Sequence, residues 1–228
     1  MVPAKQIMQS LWHHKAPWDQ PISGETLEKW LVWKSSLPLL GKITVPRCYF
    51  SHLEHKGVTF QLHHFCDASE SGYGNISYLC LEDLDGFTEC AFVTGKFRNA
   101  PIKSASIPRL ELQGALLAVW IDSTVRRELE FSFEKVIFWT DSMIVLNYIR
   151  NESWCFQTYV ANRVTEIREL TFPHQWRHCP DAINPADDAS RGLRIEEFLR
   201  SELWLKPHAL DQTLCFNGVP HRTTLFSK

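Results

Sequence analysis

The sequence predicts an α/β fold (α+β mixed sheet): a five-stranded mixed sheet flanked by helices, with a helical extension at the N-terminus. Three observations predict it. From Phe60 the hydrophobic pattern takes the two-residue period of strands, and three such runs follow one another with turn residues between them. A long apolar run with helical spacing then begins at Ile107. After it, strand-like and helix-like segments alternate, and strands followed by such alternation pack as one mixed sheet covered by helices.

The elements follow in order. Residues 1–57 read as a helical connection segment rather than a domain of their own. Trp12, Trp18, Trp30 and Trp33 crowd it, Pro17 and Pro21 mark turns, and Ser23 stands where it can cap a helix carrying Leu27, Trp30, Leu31 and Leu37. So much aromatic area requires a partner surface. Residues 58–193 form the central domain. Its strands are expected at Phe60–Asp67, Tyr73–Leu81 and Thr88–Lys96, with Asp85-Gly86 turning between the last two. The central helix, Pro108–Leu129, places Leu112, Leu116, Val119 and Ser123 on a core face. Gly114, Ala115 and Ala118 let its backbone approach a sheet. A strand at Lys135–Thr140, helices at Ser142–Arg150 and Tyr159–Leu170, and a strand at Gln175–His178 come next. A late helix opens at Asp187. Residues 194–228 read as a docking helix, Arg194–Leu205, and a loose tail.

A chain of 228 residues suits one well-packed domain with flanking pieces. No apolar run approaches membrane-spanning length, and the first residues carry no signal-peptide core, so an intracellular protein without membrane contact is expected. The cysteines, at 48, 66, 80, 90, 155, 179 and 215, are odd in number and scattered, which predicts reduced thiols. A formal net charge of −2 does not announce a nucleic-acid binder. Locally, however, Lys96, Arg98, Lys103 and Arg109 occur with no acid between them.

Four carboxylates stand at element ends. Asp67 and Asp141 end strands, Glu111 lies in the first turn of the central helix, and Asp187 starts the late helix. Singly, each has an ordinary explanation in turn capping or the helix dipole. Brought to one sheet edge, they would repel one another and raise each other's pKa unless cations neutralise them. Oxygen-only ligation suits Mg²⁺ or Mn²⁺, and two such ions roughly 3.5–4 Å apart support phosphodiester hydrolysis. Integrase-type nucleases would present Asp, Asp and a late Glu, and an Asp-x-Glu exonuclease would need an acid at Ser69. Zinc sets drawn from Cys48, His52 and His55, or from His174, His178 and Cys179, lack a clean four-ligand spacing. No Asp-Thr-Gly or Asp-Ser-Gly is present to carry aspartic-peptidase chemistry.

Several longer pieces carry a resemblance. They are Leu62-His-His-Phe-Cys-Asp-Ala-Ser69, Thr94-Gly-Lys-Phe-Arg-Asn-Ala-Pro-Ile102, Ile107-Pro-Arg-Leu-Glu-Leu112, Trp139-Thr-Asp-Ser142, Tyr159-Val-Ala-Asn-Arg-Val164, Trp176-Arg-His178, Asn184-Pro-Ala-Asp187 and Ala189-Ser-Arg-Gly192. Together they resemble the ribonuclease H region of the Pol polyprotein of Pao/BEL-type LTR retrotransposons, a region also labelled a Pao peptidase family. The resemblance implies a ribonuclease H-like fold that hydrolyses the RNA strand of RNA/DNA hybrids with two Mg²⁺ or Mn²⁺ ions. It implies Asp67, Glu111, Asp141 and Asp187 as the catalytic, metal-binding set, with Asp67 shared by both ions. It further implies partners in the reverse transcriptase and integrase regions of the same polyprotein, and work in a cytoplasmic particle or the nucleus. The chain departs from the family pattern at Asp181, where Gly is usual, and at Asp188. Between the adjacent acids Asp187 and Asp188, spacing from Asn184 and Arg191 selects Asp187.

Lys96, Arg98, Lys103 and Arg109 are candidate phosphate contacts. Ser69, Asn75, Ser142 and Asn184 are candidate contacts to backbone or sugar, and the 2′-hydroxyl of the hybrid is what distinguishes RNA. His178 precedes Asp187 in a loop where the wider ribonuclease H family keeps a histidine that helps product leave. The competing function is a non-catalytic module that keeps the fold and binds nucleic acid or protein.

Overall fold

A computed structural model describes residues 2–50, 57–84, 88–102, 105–151 and 155–200. Strands β1 (Thr59–Ser69), β2 (Gly72–Glu82), β3 (Thr88–Asn99), β4 (Phe133–Thr140) and β5 (Trp176–His178) form one sheet in the order β3-β2-β1-β4-β5. β1 pairs antiparallel with β2, and β2 with β3, whereas β4 and β5 join β1 in parallel. This is the expected five-stranded mixed sheet. Strand β3 runs past the expected end because β2 begins at Gly72 and its ladder continues to Gly72↔Asn99. The expected Asp85-Gly86 turn lies outside the described residues.

The central strand β1 is buried on both faces from Gln61 to Asp67, so its alternation marks two cores rather than a wet and a dry side. One core lies under α3 (Ile107–Glu128), α4 (Met143–Arg150) and α5 (Thr158–Leu170) and includes Leu62, Leu79, Leu112, Leu116, Phe138 and Trp176. The other lies on the opposite face, where Phe65, Tyr78 and Trp139 meet Ala186 and Ala189 of α6 (Pro185–Arg191).

Helix α3 is buried from Gly114 to Val119 and again at Ile121 and Asp122, but Ser123 is exposed. The expected core face is therefore corrected at Ser123. The helix is covered by the sheet on one side and by α4 and α5 on the other, which widens the buried arc and shifts it. Gly114 permits the approach to the sheet: a Cβ there would lie 3.1 Å from the Asp67 carbonyl oxygen.

The N-terminal helices are α1 (Val2–His13) and α2 (Gly24–Ser36). Helix α1 was not legible in sequence; it binds the end of β3 through Lys5 Nζ to Phe97 O (2.8 Å) and Asn99 Nδ2 to Lys5 O (2.9 Å). Ser23 sits at the N-cap of α2 without a side-chain cap bond, and no residue of that helix is buried. Trp30 packs on Trp33 at 4.8 Å, while Trp12 and Trp18 are exposed. Helix α7 (Ile195–Arg200) forms part of the expected docking helix, and the remainder of that helix lies outside the described residues.

The expectation of reduced cysteines is overturned at one pair. Cys80 and Cys90 stand directly opposite in the β2–β3 register, 4.1 Å apart at Cα, and are joined as a disulfide. Cys48, Cys66, Cys155 and Cys179 are free, and Cys215 lies outside the described residues. Among the described residues no helix is long and apolar enough to cross a membrane.

Candidate active site

The site grows from the pairing of two strands. Cys66 and Thr140 are partners in the parallel β1–β4 register, so Asp67 and Asp141, each one residue further, emerge side by side at the same sheet edge. The Cys179 N–H donates to Thr140 O (3.0 Å), carrying the chain from β5 across that edge. Asn184 then straps it down, donating from Nδ2 to Cys66 O (3.2 Å) and accepting the Ala186 N–H (3.0 Å) as the N-cap of α6. Helix α6 starts at Pro185, so Asp187 lies in its first turn instead of opening it.

Glu111 sits in the second turn of α3 rather than the first, because the helix begins at Ile107 behind Ser106. Ser142 at the start of α4 donates to Glu111 Oε2 at 2.6 Å. On the opposite face of the sheet, Ser190 of α6 donates to Asp67 Oδ2 at 2.5 Å, and Arg191 pairs with Asp187 Oδ1 at 2.8 Å. Two serines and an arginine thus orient three of the four carboxylates.

The electrostatics record their convergence. Burial, above all, pushes the Asp141 carboxyl up to about 8, helped by hydrogen bonding and charge from Asp181 and Asp67. Glu111 is raised by burial and by the charges of Asp67 and Asp181, with Ser142 opposing. Asp187 is raised by burial and by Asp67, Asp188 and Asp181, with Arg191 opposing. Asp67 is therefore the common neighbour of the other three. Asp181 is a fifth carboxylate in the group, missed as a site residue; the one signal was its departure from Gly in the family pattern. It opens the short 3₁₀ turn Asp181–Ile183 that leads to Asn184.

The adjacent acids of α6 separate by direction. Asp187 is tied to Arg191 at the rim of the group, near enough to feel the charges of Asp67 and Asp181, while Asp188 lines a cavity of about 410 Å³ with Val2, Lys5 and Phe97. Lys96 lies exposed on β3 and lines the same cavity. Arg98 stacks over Trp120 at 5.4 Å and Arg109 over Tyr159 at 4.9 Å. Lys103 lies outside the described residues. Ser69 donates to Ser190 O (2.8 Å), and the buried Asn75 donates to Phe65 O (3.0 Å). His178 is exposed at the end of β5, in register with Thr140.

The donor set fits a hard cation. It is all oxygen, and Asp141 Oδ1 is buried with no hydrogen-bond partner among the described residues. Among the described residues, however, no group of three or more His, Cys, Asp or Glu side chains is arranged closely enough to hold a metal ion as it stands.

The family model of the Pao retrotransposon-like RNaseH-like domain matches residues 1–142, more than half of the 228. The chain belongs to that family. The 3-2-1-4-5 sheet flanked by helices is thus the fold of a Pao-type RNase H-like domain, as the sequence resemblance implied. No curated protein matches the chain. Among solved structures it is similar to RNase H1 of the archaeon Halobacterium salinarum NRC-1, with 18% identity and a TM-score of 0.36 over 57% of this chain and 92% of that one. It is similar also to the N-terminal RNase H domain of a Mycobacterium tuberculosis protein, with 14% identity and a TM-score of 0.36 over 63% of this chain and 99% of that one. A third, LC11-RNase H1 in complex with RNA/DNA hybrid, has 11% identity and a TM-score of 0.36 over 62% and 99% of the two chains.

Proposed function

We propose that this Pao-type domain is an endonuclease that hydrolyses the RNA strand of RNA/DNA hybrids in a divalent-cation-dependent reaction. We place its work within a Pol polyprotein, beside reverse transcriptase and integrase regions. The observation that carries the reading is the emergence of Asp67 and Asp141 from adjacent strand ends at one sheet edge, with Asp141 Oδ1 buried and without a hydrogen-bond partner among the described residues. Family membership supports the reaction class.

Asp67, Glu111, Asp141 and Asp187 would hold two Mg²⁺ or Mn²⁺ ions. When bound, such ions supply an activated water and charge stabilisation at the leaving oxygen. The chain's own residues set the donors. Ser142 fixes Glu111, Ser190 fixes Asp67, and Asn184 ties the β5–α6 loop to β1. Arg191 holds Asp187 at the rim, where the carboxylate is partly exposed and can turn inward. A-form-like hybrid presents its 2′-hydroxyls in a wide, shallow minor groove, which an open sheet edge can meet.

The test is cleavage of an end-labelled hybrid in millimolar Mg²⁺ or Mn²⁺. Wild type should cut the RNA strand, and Asp141→Asn should not while melting cooperatively. Saturating Mn²⁺ should also raise the melting temperature, since a ligand at a hundredfold its Kd adds about 2.7 kcal/mol. Cleavage retained by Asp141→Asn would move the chemistry elsewhere. A second reading, hybrid binding without cleavage, is favoured by the finding that no three His, Cys, Asp or Glu side chains among the described residues are grouped to hold a metal ion. It predicts that wild type and Asp67→Asn protect a hybrid equally and that neither cuts it.

A further inference from the structure

Helices α3 and α5 run side by side in the same direction. Arg109 and Gln113 of α3 meet Tyr159 and Arg163 of α5, and further along Trp120 Nε1 donates to Glu166 at 2.7 Å. The first turn of α5 therefore lies beside the first turns of α3, at the end of the molecule where Glu111 stands. There the Tyr159 ring carries two guanidinium groups. The Arg163 carbon sits 3.5 Å from the ring centroid and that of Arg109 4.9 Å.

Two like charges gathered on one ring normally call for an anion. Among the described residues none is supplied: neither arginine has an ion pair there, while Glu111 is held by Ser142, Asp122 by Arg126 and Glu166 by Trp120. The neighbours of Arg163 are neutral. With its amide oxygen turned toward α5, Gln113 accepts from Arg163 Nε (2.6 Å), Arg163 Nη2 (2.8 Å) and the Tyr159 hydroxyl (2.8 Å). Arg163 Nη1 donates to the Tyr159 carbonyl at 3.0 Å. These bonds use three of the five N–H groups of a guanidinium and lock its plane. The remaining donors, with those of the exposed Arg109, stay available to a ligand.

We infer that Arg109, Tyr159 and Arg163 form a preset phosphate-binding platform for the nucleic-acid backbone, separate from the carboxylate edge. This rests on the hybrid as substrate and adds where the duplex is gripped. Arg109 precedes Glu111 by two residues, which on a helix is about 200° around and ~3 Å along the axis. The platform and Glu111 thus occupy opposite sides of one helix start. Fixed guanidinium planes match phosphate oxygens in pairs, and such contacts position a duplex without reading its sequence. A near-neutral chain gains affinity from a local cation pair that its net charge of −2 does not reveal.

The experiment measures hybrid binding by fluorescence anisotropy at several salt concentrations, using the full chain in an Asp141→Asn background, with cleavage assayed in the wild-type background. Arg109→Ala and Arg163→Ala should each weaken binding several-fold and flatten the slope of log K against log salt by about one. Lys29→Ala, remote on α2, should leave both unchanged. Arg109→Ala removes only a ring contact, so it reports even where Arg163→Ala disturbs folding. An unchanged slope in a parent that binds and cleaves hybrid would overturn the platform and leave the nuclease reading standing. A parent that binds but does not cut, with both arginine variants weakened, would overturn the nuclease reading and leave the platform. A parent that binds no hybrid overturns both, whereas variants that lose an acidic protein partner while keeping hybrid overturn the platform alone.

Discussion

Ser142 donates its hydroxyl to Glu111 Oε2 at 2.6 Å, and Ser142 Oγ in turn accepts the Val145 N–H at 3.2 Å. One side chain thus caps α4 and aims a carboxylate that belongs to α3. Ser142→Ala should cost about 1 kcal/mol from the lost cap. Hybrid cleavage should fall much further than that loss explains, because Glu111 stays partly buried but is no longer oriented. Ser142→Thr should restore both. Urea melts beside cleavage rates at saturating hybrid check this; a stability loss with unchanged cleavage would leave Ser142 as a cap alone.

The raised Asp141 carboxyl makes stability depend on pH in a defined direction. Its folded value of about 8 lies above the unfolded value of roughly 4, so between these the folded chain binds more protons than the unfolded one. Stability of the metal-free protein should therefore fall as pH rises through that window and level off beyond it. The melting temperature at pH 8.5 should lie below that at pH 5.5. Asp141→Asn and Asp181→Asn should each shrink the difference, since hydrogen bonding and charge between these two carboxyls contribute to the shift. A flat profile for wild type would mean that the carboxyls do not share their protons as the geometry requires.

The strands showed because their period, β-branched content and turn residues all agree, and Asp67 and Asp141 followed because a parallel register puts successive strand ends together. Asp181 escaped as a site residue because its role depends on the Cys179–Thr140 bond folding the β5–α6 loop back over β4, a contact no local pattern announces. Helix α1 escaped for a similar reason: its polar anchors Lys5 and Gln9 bind backbone and side chain at the end of β3 rather than an apolar core. The exposed end of the α3 core face, Ser123, failed because two layers cover that helix and the pattern of one face no longer applies.

The Cys80–Cys90 bridge joins residues ten apart in sequence across β2 and β3. In the chain-entropy account a loop of that size adds about 2–3 kcal/mol in the oxidised state. Dithiothreitol should lower the melting temperature accordingly, and Cys80→Ser with Cys90→Ser should match the reduced wild type. Cleavage should be unchanged, because the bridge lies well along β2 from the Asn75–Gly74 end that faces Asp67. A melting curve indifferent to reductant would show that the two thiols do not pair in solution.

Inside the fold, His64 Nδ1 lies 2.7 Å from Ser77 Oγ and His64 Nε2 lies 3.2 Å from Asp122 Oδ1, with Ser77 Oγ also 3.0 Å from Asn75 Oδ1. The order Ser, His, Asp is that of a hydrolytic triad. Burial argues against that use: Ser77 and His64 have no exposed surface, and Asp122 has 3%, so no acyl group can reach the hydroxyl. What the relay does is tie α3 to β1 and β2 through polar contacts that the surrounding apolar core makes costly to break. Ser77→Ala should therefore destabilise by about 1–3 kcal/mol, the usual cost of leaving a buried polar partner unsatisfied. It should leave the rate of hybrid cleavage per folded molecule unchanged, and wild type should resist labelling by a fluorophosphonate serine probe. Labelling that disappears in Ser77→Ala would overturn the structural role and make the relay a second catalytic centre.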